Sequence, residues 1–325
     1  MNKQKKIWVK LKYSYLPFQV RFALERVISY YRMLHKPYPT ASKNDQLASQ
    51  PLFIISCGRS GTTLMRSMLV AGGQIAIPME TQILHLLPMK FISARRGGWK
   101  EQVRTVISSF EIHPNFPLWN TNLANAYQNA IALPDEERSL SRIIDEVYMT
   151  YANHAFPQAK IWGDQSPLHT FYLPYIHRIF PNAKYLHMIR DGRDVVTSLV
   201  TRFGDGFLFE AVHRWLVSIK RTQQFQRKIS PDQYMEVRYE ELVRDPENTL
   251  KKVCAFIGID YSPIMLDYWK LPSTVEHKHK SFHVNLGKPI FESSIGKWKD
   301  ILSPVQQDYV SSKLNRELKK KGYLE

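Results

Sequence analysis

Short apolar runs alternate with stretches of helical period along most of the chain beyond residue 51. Leu52–Ser56 is a continuous apolar run and not an alternating one, which is typical of a strand buried on both faces of a parallel sheet. Helical segments separate the strand candidates, so the pattern predicts an α/β fold with a parallel sheet covered on both faces. The other strand candidates are Gln74–Pro78, Lys160–Gly163, Lys184–Ile189 and Tyr234–Arg238.

Helical periodicity predicts the elements that cover this sheet. Gly72-Gly73 gives the first helix a clear stop, and residues 80–156 are mostly helical, with breaks at Arg96-Gly-Gly98 and at three prolines. No internal repeat and no second domain-sized unit is visible. We therefore predict one α/β domain over residues 51–325 with a helical insertion at about 80–156. The predicted helices that follow strands are residues 62–71, 169–180, 192–203 and 240–257.

The first 50 residues have a different character. Apolar residues recur at positions 20, 24, 27, 31 and 34, which predicts an amphipathic helix, and the polar, proline-rich residues 37–51 are typical of a linker. Residues 1–36 contain nine Lys or Arg and one acid. Such a basic helix either rests on anionic lipid as a peripheral membrane contact or packs on the main domain.

Composition narrows the function classes. The chain has 325 residues, of which 44% are hydrophobic and 23% charged, as in globular proteins. Two cysteines exclude a disulfide framework, and no Cys/His spacing is that of a zinc site. No apolar run reaches about 18 residues, so a transmembrane helix is not expected. The net charge of +16 calls for an anionic partner, although half of it lies within residues 1–36.

A glycine turn follows the first strand. Cys57-Gly-Arg-Ser-Gly-Thr-Thr-Leu64 joins that strand to a helix, the geometry that directs backbone N–H groups and the positive end of a helix dipole at an anion. Arg59 adds a forked cation, and Ser60, Thr62 and Thr63 add hydroxyl donors. The glycines are three apart and no lysine follows the second, so the loop differs from that of nucleoside triphosphatases.

A second polar strand end lies about 130 residues further on. Arg190 ends the strand Lys184–Ile189, and Ser198 follows about two turns into the next helix. Asp191 or Asp194 suits the first turn of that helix. Either Arg190 and Arg193 pair with these acids as structural ion pairs, or Arg190 binds an anion.

The glycine turn (residues 57–64, the first motif) and the second strand end with its helix (residues 184–198, the second motif) together resemble motifs of sulfotransferases. The tyrosylprotein and bacterial members are most similar. The resemblance covers about residues 52–300 and implies a P-loop-type α/β fold with 3′-phosphoadenosine 5′-phosphosulfate (PAPS) as co-substrate. It implies that Arg59, Ser60, Gly61, Thr62 and Thr63 hold the 5′-phosphosulfate. It assigns the 3′-phosphate to Arg190 and Ser198 of the second motif and to Arg202 just beyond it.

Two residues carry the expected chemistry. Glu80 lies 21 residues after Arg59, the offset at which the resembling tyrosylprotein enzymes have their catalytic base, although it could also be a helix N-terminal carboxylate. Many relatives have a lysine where this chain has Gln165, two residues before Pro167. An amide supplies no charge, so another cation replaces the lysine, turnover is slow, or the protein binds without catalysis. His169 is a candidate proton donor or a structural histidine.

The resemblance also implies that a tyrosine and a C-terminal segment cover the nucleotide. Tyr239 matches a tyrosine that lines the adenosine site, and Ser294-Ile-Gly-Lys-Trp-Lys299 resembles the C-terminal Gly-x-Trp element, which makes Lys297 a phosphate ligand candidate. The basic loop His277–Lys280 precedes this element and belongs either to the same lid or to a solvated loop. The aromatic residues of the insertion, such as Trp99 and Trp119, form either an acceptor wall or core.

These observations predict a PAPS-dependent sulfotransferase with a hydroxyl-bearing acceptor, Glu80 as base and no metal. The alternatives are a non-catalytic nucleotide- or membrane-binding protein of the same fold and a P-loop kinase. No nucleic-acid partner is expected because no recognised module accompanies the charge. The start Met1–Val9 does not read as a secretory signal, so a cytoplasmic location is expected, with peripheral membrane contact through residues 1–36.

Overall fold

Five parallel strands form the sheet of the computed structural model, which describes residues 37–41, 47–271 and 287–324 and positions 20, 24, 27 and 28. Their order across the sheet is β2-β3-β1-β4-β5. All the recorded pairings are parallel, which confirms the predicted sheet and α/β class. The strands are β1 (Leu52–Ile55), β2 (Ile75–Ala76), β3 (Ile161–Gln165), β4 (Lys184–Ile189) and β5 (Tyr234–Arg238).

The central strand β1 explains the continuous apolar pattern. All four of its residues are buried, and it pairs with β3 on one side and β4 on the other, with Leu52 opposite Gly163 and Lys184. A Cβ atom at Gly163 would lie 2.9 Å from the carbonyl oxygen of Leu52. Glycine at this position therefore allows the two strands to approach each other.

Helices flank the sheet on both faces, and most lie where helical periodicity predicts them. The predicted segment 240–257 is two helices, because Asp245 caps the second and Pro246 occupies its first position. The helices outside the insertion are α1 (Thr62–Ala71), α6 (Leu173–Ile179), α7 (Gly192–Phe203), α8 (Leu208–Gln226), α9 (Tyr239–Arg244), α10 (Pro246–Ile257), α11 (Trp298–Ile301) and α12 (Pro304–Lys320).

The insertion is helical, as its periodicity predicts. Its aromatic residues Trp99, Phe110, Phe116 and Trp119 are buried and join the core cluster that covers one face of the sheet, so the acceptor-wall interpretation is wrong for these four side chains. Its helices are α2 (Leu87–Ser93), α3 (Trp99–Glu111), α4 (Ala124–Ala132) and α5 (Leu140–Ala155).

The described part of the linker lies against this insertion. The carbonyls of Pro39 and Thr40 accept hydrogen bonds from the first two amides of α5, and the amide of Ala48 donates to Asp145. Positions 20, 24, 27 and 28 are helical, and the first three are exposed. The other residues of the predicted N-terminal lipid contact, and the basic loop 277–280, lie outside the described residues. The boundary at residue 50 stays a prediction.

Candidate functional site

Most of the predicted site residues follow strands that end at one edge of the sheet. Parallel strands end on the same side, so the segments after β1, β3 and β4 lie next to each other. The chain leaves β1 toward β2 and β3 and later returns to its other side as β4. In open α/β sheets such a reversal of strand order opens a crevice for ligands at the carboxyl ends of the strands.

The loop after β1 (residues 57–61, the candidate phosphate loop) has a backbone shaped to hold an anion. Arg59 and Gly61 have φ angles of 75° and 86°, in the left-handed region. Gly61 is also the N-cap of α1 and has no side chain to occupy the first amides of this helix, which point out of its N-terminus. A Cβ atom at Gly61 would lie 2.5 Å from Cδ2 of Tyr239, so glycine lets the loop pack on that ring.

Arg59 and Arg190, the two predicted phosphate ligands, are in contact. Nε of Arg59 donates a hydrogen bond to Oγ of Ser198 across 3.0 Å. Nη1 of Arg190 donates to the carbonyl oxygen of Arg59 across 3.1 Å, and its guanidinium lies 4.6 Å from the centre of the Tyr239 ring. The structure thus brings Arg59, Arg190, Ser198 and Tyr239 together from three different strand ends.

The neighbouring positive charges of this group favour the binding of an anion. Burial lowers the pKa of the Arg59 guanidinium, and the positive charges of Arg202 and Arg190 lower it further. Arg202 follows Ser198 by one helical turn on α7. Cations held close to one another repel, and an anion bound between them would relieve that repulsion.

Arg193 forms the ion pair of the structural alternative, whereas Arg190 acts on Asp194 only through its charge, which opposes the rise that burial causes in the pKa of that carboxyl. Nη2 of Arg193 lies 2.7 Å from Oδ2 of Asp191, whose side chain also caps α7. Arg190 instead donates to the carbonyls of Arg59 and Ser294. The second arginine of the motif is therefore structural, whereas the first faces the phosphate loop.

The hydroxyl groups of the loop have different surroundings. Oγ of Ser60 donates to the carbonyl oxygen of Cys57 across 2.7 Å and so braces the turn, while Thr63 is partly exposed. Oγ1 of Thr62 accepts a hydrogen bond from Nε2 of Gln165 across 3.1 Å. Gln165, at the position where the resemblance leads us to expect a lysine, therefore lies at the end of β3 in contact with the first residue of α1.

Glu80 lies in the segment after β2, whose main chain is held by three side chains. Nε of Arg66, a buried residue of α1, donates to the carbonyl of Ile77 across 2.8 Å. Trp119 donates to the carbonyl of Met79 and Asn115 to that of Glu80, both across 2.8 Å. This backbone is fixed from the phosphate-loop helix on one side and from the insertion on the other.

A buried polar cluster lies beside this segment. Tyr148 donates to Oδ2 of Asp164 across 2.6 Å, and Nδ1 of His169 lies 2.9 Å from Oδ1 of Asp164 at an angle outside that of a hydrogen bond. The ring of His85 stacks on that of Tyr172 with centres 4.0 Å apart. Burial lowers the pKa of His85, and His169 adds to this effect. The burial of His169 favours its structural interpretation.

The C-terminal Gly-x-Trp element is attached to the second motif. The two carboxylate oxygens of Asp194 accept hydrogen bonds from the amides of Gly296 and Trp298, across 2.8 and 3.1 Å. The guanidinium of Arg193 lies 4.3 Å from the centre of the Trp298 ring. Lys297 is exposed between these two anchored residues, next to the group formed by Arg190 and Ser294.

Sequence reasoning missed Arg66 and Thr170. Oγ1 of Thr170 accepts from the amide of Ser56 and donates to its carbonyl, which fastens the turn 167–171 to the phosphate loop. Both side chains act on distant main-chain groups, and a motif search gives no signal for such bonds. The one signal for Arg66 in the sequence is that it is a charged residue on a helix face whose other residues are buried.

Neither a metal centre nor a membrane span is found in the described ranges. No cluster of three or more His, Cys, Asp or Glu side chains there could hold a metal ion. None of the described helices combines the length and the apolarity needed to cross a membrane.

Comparison with known proteins supports the resemblance. A putative protein-tyrosine sulfotransferase of Caenorhabditis briggsae is 26% identical over 68% of this chain and 70% of its own length. Protein-tyrosine sulfotransferase 2 of Gallus gallus is 26% identical over 76% of this chain and 62% of its own length, so the chain spans less than two thirds of that relative.

The fold has solved counterparts. The sulfotransferase domain of the Synechococcus PCC 7002 olefin synthase superposes on 85% of this chain with a TM-score of 0.58 and 24% identity, a likeness of fold. The model of the sulfotransferase family matches residues 51–263, which include the phosphate loop, Glu80 and the second motif. This match confirms the predicted enzyme class and favours it over a P-loop kinase. The chain belongs to the sulfotransferase family.

Proposed function

We propose that the chain transfers a sulfuryl group from PAPS to a hydroxyl acceptor, with Glu80 as general base. The observation that carries the proposal is the contact between the two arginine motifs, in which Arg59 binds Ser198 and Arg190 binds the Arg59 carbonyl. A donor with phosphate groups at both its 5′ and 3′ positions needs cations at two neighbouring points. Arg59 and Arg190 supply them.

The donor fits the residues present. The amides at the start of α1 and the Arg59 guanidinium would hold the 5′-phosphosulfate, and Arg190, Ser198 and Arg202 the 3′-phosphate. The Tyr239 ring, which packs on Gly61 and under Arg190, would line the adenosine. Lys297 would add a cation from the segment that Asp194 anchors. Bound PAPS supplies a sulfuryl group on a good leaving phosphate.

Glu80 would remove the proton of the acceptor hydroxyl while the oxygen forms its bond to sulfur. The bond from sulfur to the 5′-phosphate oxygen breaks, and adenosine 3′,5′-bisphosphate leaves. The side chains of Arg66, Trp119 and Asn115 hold the Glu80 segment, which limits the motion of the base. A positioned general base typically contributes about 10²–10⁴-fold to the rate.

Gln165 supports a second candidate, a protein that binds the nucleotide without catalysis. Its amide donates to Thr62 and supplies no charge at the position where many relatives have a lysine. Transfer from labelled PAPS is compared in wild type and in Gln165→Lys. Transfer by wild type supports the enzyme, whereas transfer by the variant alone supports the binding protein.

The acceptor class is proposed as a hydroxyl compound, and the names of two relatives make protein tyrosine one candidate. The test is sulfuryl transfer from labelled PAPS to tyrosine peptides, phenols and long-chain alcohols, with and without a chelator. We expect transfer that survives chelation and that falls by about 10²–10⁴-fold in Glu80→Gln, with unchanged binding of adenosine 3′,5′-bisphosphate. Full activity of Glu80→Gln would contradict the role of the base.

A further inference from the structure

The segment between Glu80 and Glu101 has an unusual surface. Its helix α2 buries Leu87 and Phe91 in the core. The opposite side exposes large apolar residues that follow each other at intervals of three and so share one face. These residues are Leu86, Met89 and Ile92, exposed by 46%, 70% and 56%.

The same segment is exclusively basic. Between Glu80 and Glu101 the sequence has four Lys or Arg and no Asp or Glu. Arg96 and Lys100 are exposed, at the turn that follows α2 and at the start of α3. Lys90 and Arg95 are partly exposed. An apolar face with a basic border is the pattern of a segment that lies in the interface of an anionic bilayer.

An aromatic side chain extends this surface toward the site. His85, which precedes Leu86, stacks on Tyr172, and the Tyr172 and Tyr175 rings lie 6.3 Å apart. Tyr175 is exposed, and tyrosine is enriched where protein meets the headgroup layer. The turn that leads to Tyr172 begins at Pro167, two residues after Gln165, and His85 lies five residues after Glu80. Short stretches of chain therefore connect this surface to the segments that carry Glu80 and Gln165.

We propose that Leu86, Met89, Ile92, Arg96 and Lys100 form a docking surface for an anionic lipid bilayer. Charge decides between this partner and a second copy of the chain. The neighbouring Glu101 pairs with Arg104, so the surface stays net positive and two copies of it repel each other. The docking surface begins six residues after Glu80 along the chain. On the proposed function, on which this step rests, the acceptor hydroxyl reaches the base from the lipid side.

A fluorescent label on Met89→Cys tests the contact at this position independently of residues 1–36. Both native cysteines, Cys57 and Cys254, are buried, and burial raises the pKa of their thiols to about 12 and about 11, so the label reacts with the introduced cysteine. The control is Val305→Cys at the start of α12, where the native residue is 79% exposed. The probes are vesicles of phosphatidylcholine alone or mixed with phosphatidylglycerol.

We expect the Met89→Cys label to move to a less polar environment on mixed vesicles only, and the Val305→Cys label to stay unchanged. The double variant Arg96→Ser/Lys100→Ser should weaken flotation with mixed vesicles by about an order of magnitude. An unchanged Met89→Cys label on mixed vesicles overturns the proposal, whether or not the protein floats. A label that responds to an acidic tyrosine peptide and not to vesicles overturns it in favour of a peptide partner.

This readout is independent of sulfuryl transfer. If every transfer assay fails but the Met89→Cys label shifts on mixed vesicles, the proposed function is overturned and the docking surface stands. Transfer with an unshifted label would do the reverse. Substitutions at these exposed positions have little effect on folding, because they remove no core contact.

Discussion

Nε of Arg59 lies 3.0 Å from Oγ of Ser198, although 139 residues separate them. This bond joins the loop after β1 to the helix after β4. Preformed contacts between ligand-binding groups reduce the entropy that binding must otherwise supply. The protein's own hydrogen bonds therefore hold the proposed nucleotide ligands together.

Ser198→Ala should weaken the binding of adenosine 3′,5′-bisphosphate by about 10–150-fold, since hydrogen bonds to charged groups contribute about 1.5–3 kcal/mol. The variant removes a hydroxyl that contacts Arg59 and that is expected to contact the 3′-phosphate. Titration calorimetry measures the affinity. Thr201→Ala, an exposed position on the same helix, is the control and should bind as wild type does. Equal affinities of the two variants would contradict the assignment.

Gly61→Ala should abolish tight nucleotide binding, because the new Cβ would lie 2.5 Å from the Tyr239 ring. Gly73→Ala is a matched control: its φ of 75° resembles the 86° of Gly61, so both variants carry similar backbone strain, but nothing lies within 4 Å of its Cβ position. Nucleotide affinity and thermal unfolding are measured for both. If both variants lose stability equally and both keep their affinity, the packing of the loop on Tyr239 has no role in binding.

Acid should destabilise the fold through His187, a buried residue of β4. Burial lowers the pKa of its imidazole in the folded state, although Glu236 opposes the shift. The unfolded chain therefore binds a proton below about pH 6.5 that the folded chain does not, so this contribution is full above that pH and is lost as the pH falls. The slope from one site is at most about 1.4 kcal/mol per pH unit.

His187→Gln should therefore lose less stability than wild type between pH 7 and pH 5 in urea unfolding. In wild type Glu236 adds little to the change between pH 7 and pH 5, and in His187→Gln its ion pair with Lys321 still lowers its pKa. Burial opposes ionisation of its carboxyl, but His187 and Lys321 together lower its pKa to about 2, so its own contribution is lost only at more acidic pH. Parallel pH profiles of the two proteins would show that His187 titrates normally.

Much of the fold follows from local patterns. The continuous apolar run of β1 and the glycine stop after α1 place those elements within one residue of their bounds. The helix predicted at 192–203 has the same bounds in the structure, since Asp191 caps its start and Gly204 its end. The predicted helix 169–180 begins later, at Leu173, after a 3₁₀ turn that starts at Pro167.

The proximity of the proposed ligand residues was predictable from the sequence, whereas the hydrogen bonds that support them were not. Arg59 and Arg190 follow strand ends, Ser198 lies about two turns into the helix after β4, and parallel strands bring such positions together. The bonds from Asp194 to Gly296 and from Arg66 to Ile77 depend on the packing of whole elements. The left-handed backbone conformation of Arg59 could not be predicted from the sequence either, because residues other than glycine rarely adopt it.

Binding of two nucleotides that differ only in the 3′-phosphate tests the central claim most directly. Adenosine 3′,5′-bisphosphate and adenosine 5′-monophosphate are titrated against wild type and Arg190→Ala. We expect wild type to prefer the bisphosphate by about 10–150-fold, because Arg190 supplies a charged hydrogen bond to the 3′-phosphate, and Arg190→Ala to lose most of that preference. Equal affinity of wild type for the two nucleotides would contradict the account.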